Sequence, residues 1–349
     1  MQFKQTKWKN NKGVIKLTSI KETREAYKTD EGFEFPEYFE KYQNAVATLW
    51  RPQEVSMSSD VRDWGNATPE EKTLIGGLLK GFTQFECIVG DYLSDDVAQM
   101  FPKPEILSMV RAYSLQECIH QEAYNHLSDT LGINEFQAFL GDPVAQKKLK
   151  QFYNYCNSGK VTLGVFSGAG EGVSLFSSFA ILLSFSLSGR FKGLAQIISW
   201  SQIDEQTHSD SGCSLFRQLV REEGITFEEK VEIFNGFNAV LDNELHFLQN
   251  AFQGRDKTIN GLNIEIMEHY MRSRANNRLS ALGIYDEKDF FYEYEPALAF
   301  KVSEWFDPLS TGSISHDFFA LTKEGSSYVA KPTYNWELVN IGKISLEYR

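Results

Sequence analysis

The chain has 349 residues, 42% of them hydrophobic and 14% aromatic, with 47 acidic against 35 basic side chains and a formal net charge of −12. That length can bury one large core or two ordinary ones, while an acidic balance without a Lys/Arg block argues against a sequence-independent grip on nucleic acid or anionic membrane. The amino terminus, MQFKQTKWKNNKG, lacks the apolar stretch of a secretory signal, so a cytoplasmic chain is expected.

The first clear element begins at Thr68-Pro69-Glu70-Glu71. An N-cap threonine, a proline at the first helical position and a capping-box glutamate predict a long helix through LIGGLLKGFTQFECIVGDYL, carrying Glu86. A second helix is predicted from near Pro104 to just before Gly132, with Glu117, His120 and Tyr124 on it. A third covers GEGVSLFSSFAILLSFSLSG, and Glu171 sits at its start. Its most apolar run, Ser174 to Leu187, is too short and too rich in serine to span a bilayer. Gly168, Gly170 and Gly172 do not form a G-x-G-x-x-G fingerprint and read as local backbone relief. A fourth helix runs through AQIISWSQIDEQTHSDSGCSLFRQL, with others near 227–252 and 260–281.

From about Asp307 onward the sequence is rich in Gly, Ser and Thr and loses helical periodicity. The expected organisation is therefore an all-α bundle over 1–306 and a mobile tail over 307–349. Cys87, Cys118, Cys156 and Cys213 form no C-x-x-C pair and read as reduced core thiols.

Two of the six histidines follow a glutamate by three positions: Glu117-Cys-Ile-His120 and Glu205-Gln-Thr-His208. That spacing puts both side chains of each pair on one helix face. One such pair is more often a helix ion pair than a ligand set, but two pairs on two long helices point to a common centre. Glu86 precedes Glu117 by 31 positions and Glu171 precedes Glu205 by 34, each suiting one helix, a turn and a return to the same depth. A dinuclear carboxylate site in a helical bundle needs one carboxylate from each of two helices and a Glu-x-x-His pair from each of two more. Both single glutamates lie in apolar settings, where an unpaired carboxylate is costly. Four carboxylates and two imidazoles suit redox-active iron or manganese better than structural zinc.

With these residues in place, the chain resembles the small (beta, radical-generating) subunits of class I ribonucleotide reductases, members of the ferritin-like superfamily, from about residue 35 to the tail. The resemblance implies metal ligation by Glu86, Glu117, His120, Glu171, Glu205 and His208 around a dinuclear Fe/Fe, Mn/Mn or mixed Mn/Fe centre. It places a radical tyrosine four residues after the first ligand histidine, at Tyr124. It starts the electron path at Trp50, within Leu49-Trp50-Arg51-Pro52-Gln53-Glu54-Val55, and at Asp204, whose carboxylate is positioned to bond both the Trp50 indole N–H and the far nitrogen of His120. Tyr328, in Gly325-Ser326-Ser327-Tyr328-Val329, is the implied relay in the tail, with Tyr334 and Tyr348 as rivals.

The implied activity is that of a ribonucleoside-diphosphate reductase coupled to thioredoxin or glutaredoxin. Its small subunit stores a one-electron oxidant, as a tyrosyl radical or on a high-valent metal pair, and passes it to a large (alpha) subunit that makes deoxyribonucleotides for DNA replication. A homodimer, and a flavoprotein or other supplier of oxidant, go with that reading. Glu86 departs from the aspartate that many members carry there; glutamate occurs in subclasses that keep the oxidising equivalent on the metals, whereas Tyr124 points the other way. Gly342 to Arg349 lacks the acidic ending that many relatives use for docking. The competing readings are a ferritin-like oxidase or oxygenase acting on its own organic substrate, and a metal-storage protein.

Overall fold

The computed structural model describes residues 9–10, 13–14, 18–23, 32–286 and 288–310. Apart from a two-residue antiparallel pairing of Lys9–Asn10 with Gly13–Val14 and isolated bridges between Ile259 and Leu262 and between Asp286 and Phe290, the regular structure of the described residues is helical. Helices α1 (Pro36–Ala47) and α2 (Ser58–Asn66) lead into α3 (Pro69–Tyr92). The predicted cap of α3 is formed: Glu71 N–H donates to Thr68 Oγ1 at 3.2 Å, and Thr68 N–H donates to Glu71 Oε2 at 3.0 Å. Helix α4 (Pro104–Leu131) ends where Gly132 turns left-handed at φ 67°, its N–H returning to Asp129 O.

Two shorter helices follow, α5 (Phe136–Gly141) and α6 (Pro143–Tyr155). Helix α7 (Lys160–Ser188) begins ten residues before the glycine-led start expected from sequence. Its stretch Phe166–Ser174 is wound as a π-helix. None of the glycines there has a positive φ. Gly172 instead permits close approach: a Cβ on it would lie 2.7 Å from Ser209 Oγ and 2.6 Å from Arg278 Cδ. By length and a mean hydropathy of 1.4 this helix could cross a membrane, but 89% of the apolar window is buried inside the protein, which makes it the core helix of the bundle.

Helix α8 (Lys192–Glu223) is capped from a distance. The buried Asp60 carboxylate accepts the N–H groups of Gly193 at 3.0 Å and Leu194 at 2.8 Å, satisfying two orphan donors at the positive end of the helix. Helices α9 (Phe227–Ala251), α10 (Ile264–Leu282) and α11 (Pro296–Ser310) complete the described chain. Helix α11 runs through Asp307, past the expected boundary at 306. Positions 311–349, with Tyr328, Tyr334 and Tyr348, lie outside the described residues.

The packing places α3 against α4 and α7 against α8, with α4 also meeting α8, so the four helices that carry the predicted site residues enclose one core. Helix α9 covers α7, and α10 lies between the π segment and α11. The expectation of four core thiols needs correction: Cys87 and Cys118 are exposed, Cys156 is half-buried and Cys213 alone is buried, all as free thiols. The first two fall on the outer face of α3 and α4 because each directly follows an inward-pointing residue, Glu86 and Glu117.

Candidate metal centre

Glu86 on α3, Glu117 and His120 on α4, Glu171 in the π segment of α7, and Glu205 and His208 on α8 all project into the centre of the bundle, and none is more than 2% exposed. Their donor atoms form two overlapping groups, Glu86/Glu117/His120/Glu205 and Glu117/Glu171/Glu205/His208, with all atoms of each group within 4.8 Å of one another. Glu117 and Glu205 belong to both groups. His120 Nδ1 lies 3.0 Å from Glu117 Oε2 and 2.9 Å from Glu205 Oε1; His208 Nδ1 lies 2.7 Å from Glu117 Oε1 and 3.8 Å from Glu205 Oε2.

Buried oxygens of Glu86, Glu117, Glu171 and Glu205, together with His208 Nδ1, lack a well-formed hydrogen bond. A cluster so buried and so acidic cannot stay fully charged without cations. In their absence, burial pushes the carboxyl groups of Glu86 and Glu171 well above the ordinary 4.5, and for Glu86 the neighbouring Glu205 and Glu117 push the same way. Burial acts on Glu117 too, yet His120 and His208 overcome it and hold that carboxyl well below 4.5. Burial would likewise depress both imidazoles, but Glu117 leads the carboxylates that raise them. Two divalent ions would neutralise the four carboxylates and occupy the orphaned atoms, so the donor set fits a dinuclear site.

The far side of each histidine is also held. His120 Nε2 lies 3.3 Å from Asp204 Oδ2, and the same oxygen accepts the Trp50 indole N–H at 2.9 Å. Trp50 is 3% exposed, and its ring centroid lies 5.8 Å from that of His120. Tyr124 is fully buried, with its ring 6.2 Å from His120 and stacked 4.9 Å from Phe82. Its hydroxyl lacks a well-formed hydrogen bond, and burial, with Glu86 adding, raises the phenol well above its ordinary value of 10. A cavity of about 20 Å³ beside Glu171 and His208 is lined by Tyr92, Met109, Tyr113 and Phe166 among others, which is room for a water-sized molecule.

Three neighbours of the centre were not singled out from sequence. Gln116, 2% exposed, bonds His208 Nε2 through Oε1 at 3.0 Å and donates from Nε2 to Asp204 Oδ1 at 2.8 Å. Trp200 packs its ring 5.3 Å from Trp50. Buried Arg274 donates to Gly172 O at 2.5 Å and to Gln206 Oε1 at 2.8 Å, pinning the π segment beside α8. Gln116 had a sequence signal: it directly precedes one Glu-x-x-His pair as Asp204 precedes the other.

Known proteins give a consistent picture. Residues 31–289 match the family described as ribonucleotide reductase, small chain. A probable ribonucleoside-diphosphate reductase small subunit (048L) of Invertebrate iridescent virus 3 is 30% identical over 282 residues, covering 72% of this chain and 73% of that one. Among solved structures, the ribonucleotide reductase R2 subunit from Clostridium botulinum superposes with a TM-score of 0.71 at 18% identity, over 87% of this chain and 98% of that one. The dimanganese(II)-NrdF of Streptococcus sanguinis superposes with a TM-score of 0.68 at 18% identity, over 82% and 98%. At that identity the two structures speak for the ferritin-like bundle fold alone.

Proposed function

The chain belongs to the ribonucleotide reductase small-chain family, and from that premise we propose that its buried cluster is the dinuclear metal centre of a ribonucleoside-diphosphate reductase beta subunit. The observation that carries this is the pair of ligand groups sharing Glu117 and Glu205. Glu86 and His120 would hold one ion and Glu171 and His208 the other, with Glu117 and Glu205 common to both. Bound iron or manganese supplies the one-electron oxidising power that amino-acid side chains lack. The dimanganese(II) form of the S. sanguinis protein makes manganese a candidate beside iron.

The chain's own residues would govern where the oxidising equivalent goes. Tyr124 is an oxidisable phenol, fully buried and stacked on Phe82, which in turn packs on Phe179. Because burial opposes its ionisation, the phenol gives up an electron only together with its proton, for which the carboxylate of Glu86 would be the neighbouring acceptor, and the apolar surroundings keep a radical there from reacting with water. Whether the equivalent rests on Tyr124 or at the centre, it leaves by Trp50. As the indole loses an electron its N–H proton becomes acidic, and Asp204 Oδ2 is placed to receive it. From Trp50 the route continues to the tail, with Tyr328 as the relay, and on to a large subunit where the ribonucleoside diphosphate is reduced; the substrate does not bind this chain. A homodimer working in the cytoplasm, its oxidant delivered as a small molecule by a flavoprotein or other source, completes the proposal.

The test is to load metal-depleted protein with Fe(II) or Mn(II) and supply a cognate large subunit. Two ions per chain, lost in Glu205→Ala, and deoxyribonucleotide formation that needs both subunits are expected. One ion per chain, or oxidation of an organic substrate without the large subunit, would sink the proposal.

A further inference from the structure

Gln116 and Asp204 occupy equivalent places, one residue before each Glu-x-x-His pair, on α4 and α8. Each reaches across to the histidine of the opposite helix: Asp204 Oδ2 to His120 Nε2 at 3.3 Å, and Gln116 Oε1 to His208 Nε2 at 3.0 Å. The two side chains also join each other, Gln116 Nε2 donating to Asp204 Oδ1 at 2.8 Å. A carboxylate cannot donate, so the amide must turn its NH2 toward Asp204, leaving its oxygen for His208. An amide oxygen cannot donate either, so His208 Nε2 carries a proton, which leaves Nδ1, facing Glu117 and Glu205, as the nitrogen that would bind a metal.

We infer that Gln116 is a positioning residue with two ends: its oxygen fixes His208 in the tautomer and orientation that a metal ligand needs, and its NH2 holds the Asp204 carboxylate square to Trp50. A single chain of contacts, His208–Gln116–Asp204–Trp50, then connects the half of the centre farther from Tyr124 to the indole through which the oxidising equivalent leaves. His120 joins the same chain at Asp204. Both halves of the centre are thereby held to one exit.

The inference rests on the metal-centre reading above, and the experiment separates the two. Metal-depleted wild-type protein is titrated with Mn(II) and followed by electron paramagnetic resonance. A wild-type chain that never forms a spin-coupled Mn pair overturns the metal-centre reading itself. If it forms one, Gln116→Met, which keeps the length and removes both polar ends, is expected to fill the Glu86/His120 half first, as a mononuclear signal. The coupled pair should then appear only at Mn(II) concentrations about 10- to 100-fold higher, the usual consequence of removing a partner that orients a ligand histidine. A coupled pair forming as in wild type, or both halves weakened alike, overturns the inference. Gln116→Glu keeps an oxygen for His208 and sets a carboxyl oxygen against Asp204 in place of the N–H donor, and it decides the matter if the methionine variant does not fold. Pair formation should stay near wild type while the Trp50 indole N–H hydrogen-bond band shifts in ultraviolet resonance Raman spectra. An unshifted band, or loss of the pair, counts against the two-ended role.

Discussion

Trp50 and Asp204, 154 positions apart in the chain, meet in a buried 2.9 Å hydrogen bond whose acceptor oxygen also lies 3.3 Å from His120. One carboxylate oxygen therefore touches both a candidate ligand histidine and an oxidisable ring. The proposed route for an oxidising equivalent runs through this contact, and a self-contained oxygenase would have no use for it. Trp50→Phe is expected to leave metal loading at two ions per chain and to reduce deoxyribonucleotide formation with the large subunit to the background of the large subunit alone. Retained turnover in that variant, measured with fully loaded protein, would remove Trp50 from the route.

Tyr124 presents a phenol oxygen without a well-formed hydrogen bond in a fully buried site. Tyr124→Phe removes that stranded polar group, so stability should hold or rise by up to about 1 kcal/mol, read from urea melts. Spectroscopically, the narrow organic radical that appears when loaded, reduced protein meets its oxidant should be absent from the variant. A metal-coupled signal that survives the substitution would place the equivalent on the centre and make Glu86 the residue to study next.

The core of the site was legible because its constraints are local. Thr68-Pro69-Glu70-Glu71 marks the start of α3, Gly132 marks the end of α4, and Glu-x-x-His spacing on a helix already fixes which side chains share a face. What escaped depends on contacts between segments far apart in sequence. Residues Lys160 to Ala169 mix small and β-branched side chains and carry no cap, so nothing local announces a helix that is stabilised by burial against α8 and α9. The acid that caps α8, Asp60, comes from α2, 133 residues before Gly193. Trp200 and Arg274 acquire meaning only once α8 and α10 are packed beside the centre.

Glu71 has two tasks, closing the α3 cap and pairing with Arg190 through two hydrogen bonds of 2.6 and 2.9 Å. Arg190 chiefly, with the Thr68 N–H adding, holds the Glu71 carboxyl below its ordinary 4.5 against the effect of partial burial. A carboxyl depressed in the folded state stabilises the fold fully above about pH 4.5 and loses that contribution as pH falls through its lower folded value. Glu71→Gln should therefore cost about 1 kcal/mol at pH 7, the upper end for a partly exposed pair. In urea melts, the gap between wild type and variant should narrow steadily below pH 4.5. A gap independent of pH would mean that the loss comes from packing and not from charge.

Gly236 on α9 lies against the turn of α7 that leads into the π segment. A Cβ on Gly236 would sit 2.5 Å from Val165 Cγ2 and 2.8 Å from Cγ1, and a β-branched side chain in a helix has little freedom to move both methyls aside. Alanine normally improves a helix interior by about 1 kcal/mol over glycine, but overpacking of this kind costs about 1–3 kcal/mol, so Gly236→Ala should be net destabilising in thermal and urea melts. The strain falls on Val165, one residue before the segment that carries Glu171, so the variant should also bind Mn(II) more weakly than wild type. Adding Val165→Ala opens the space, and the double variant should recover part of both losses, a coupling between contacting residues that independent sites do not show. Strict additivity of the two substitutions would mean that α9 and α7 do not meet at this point.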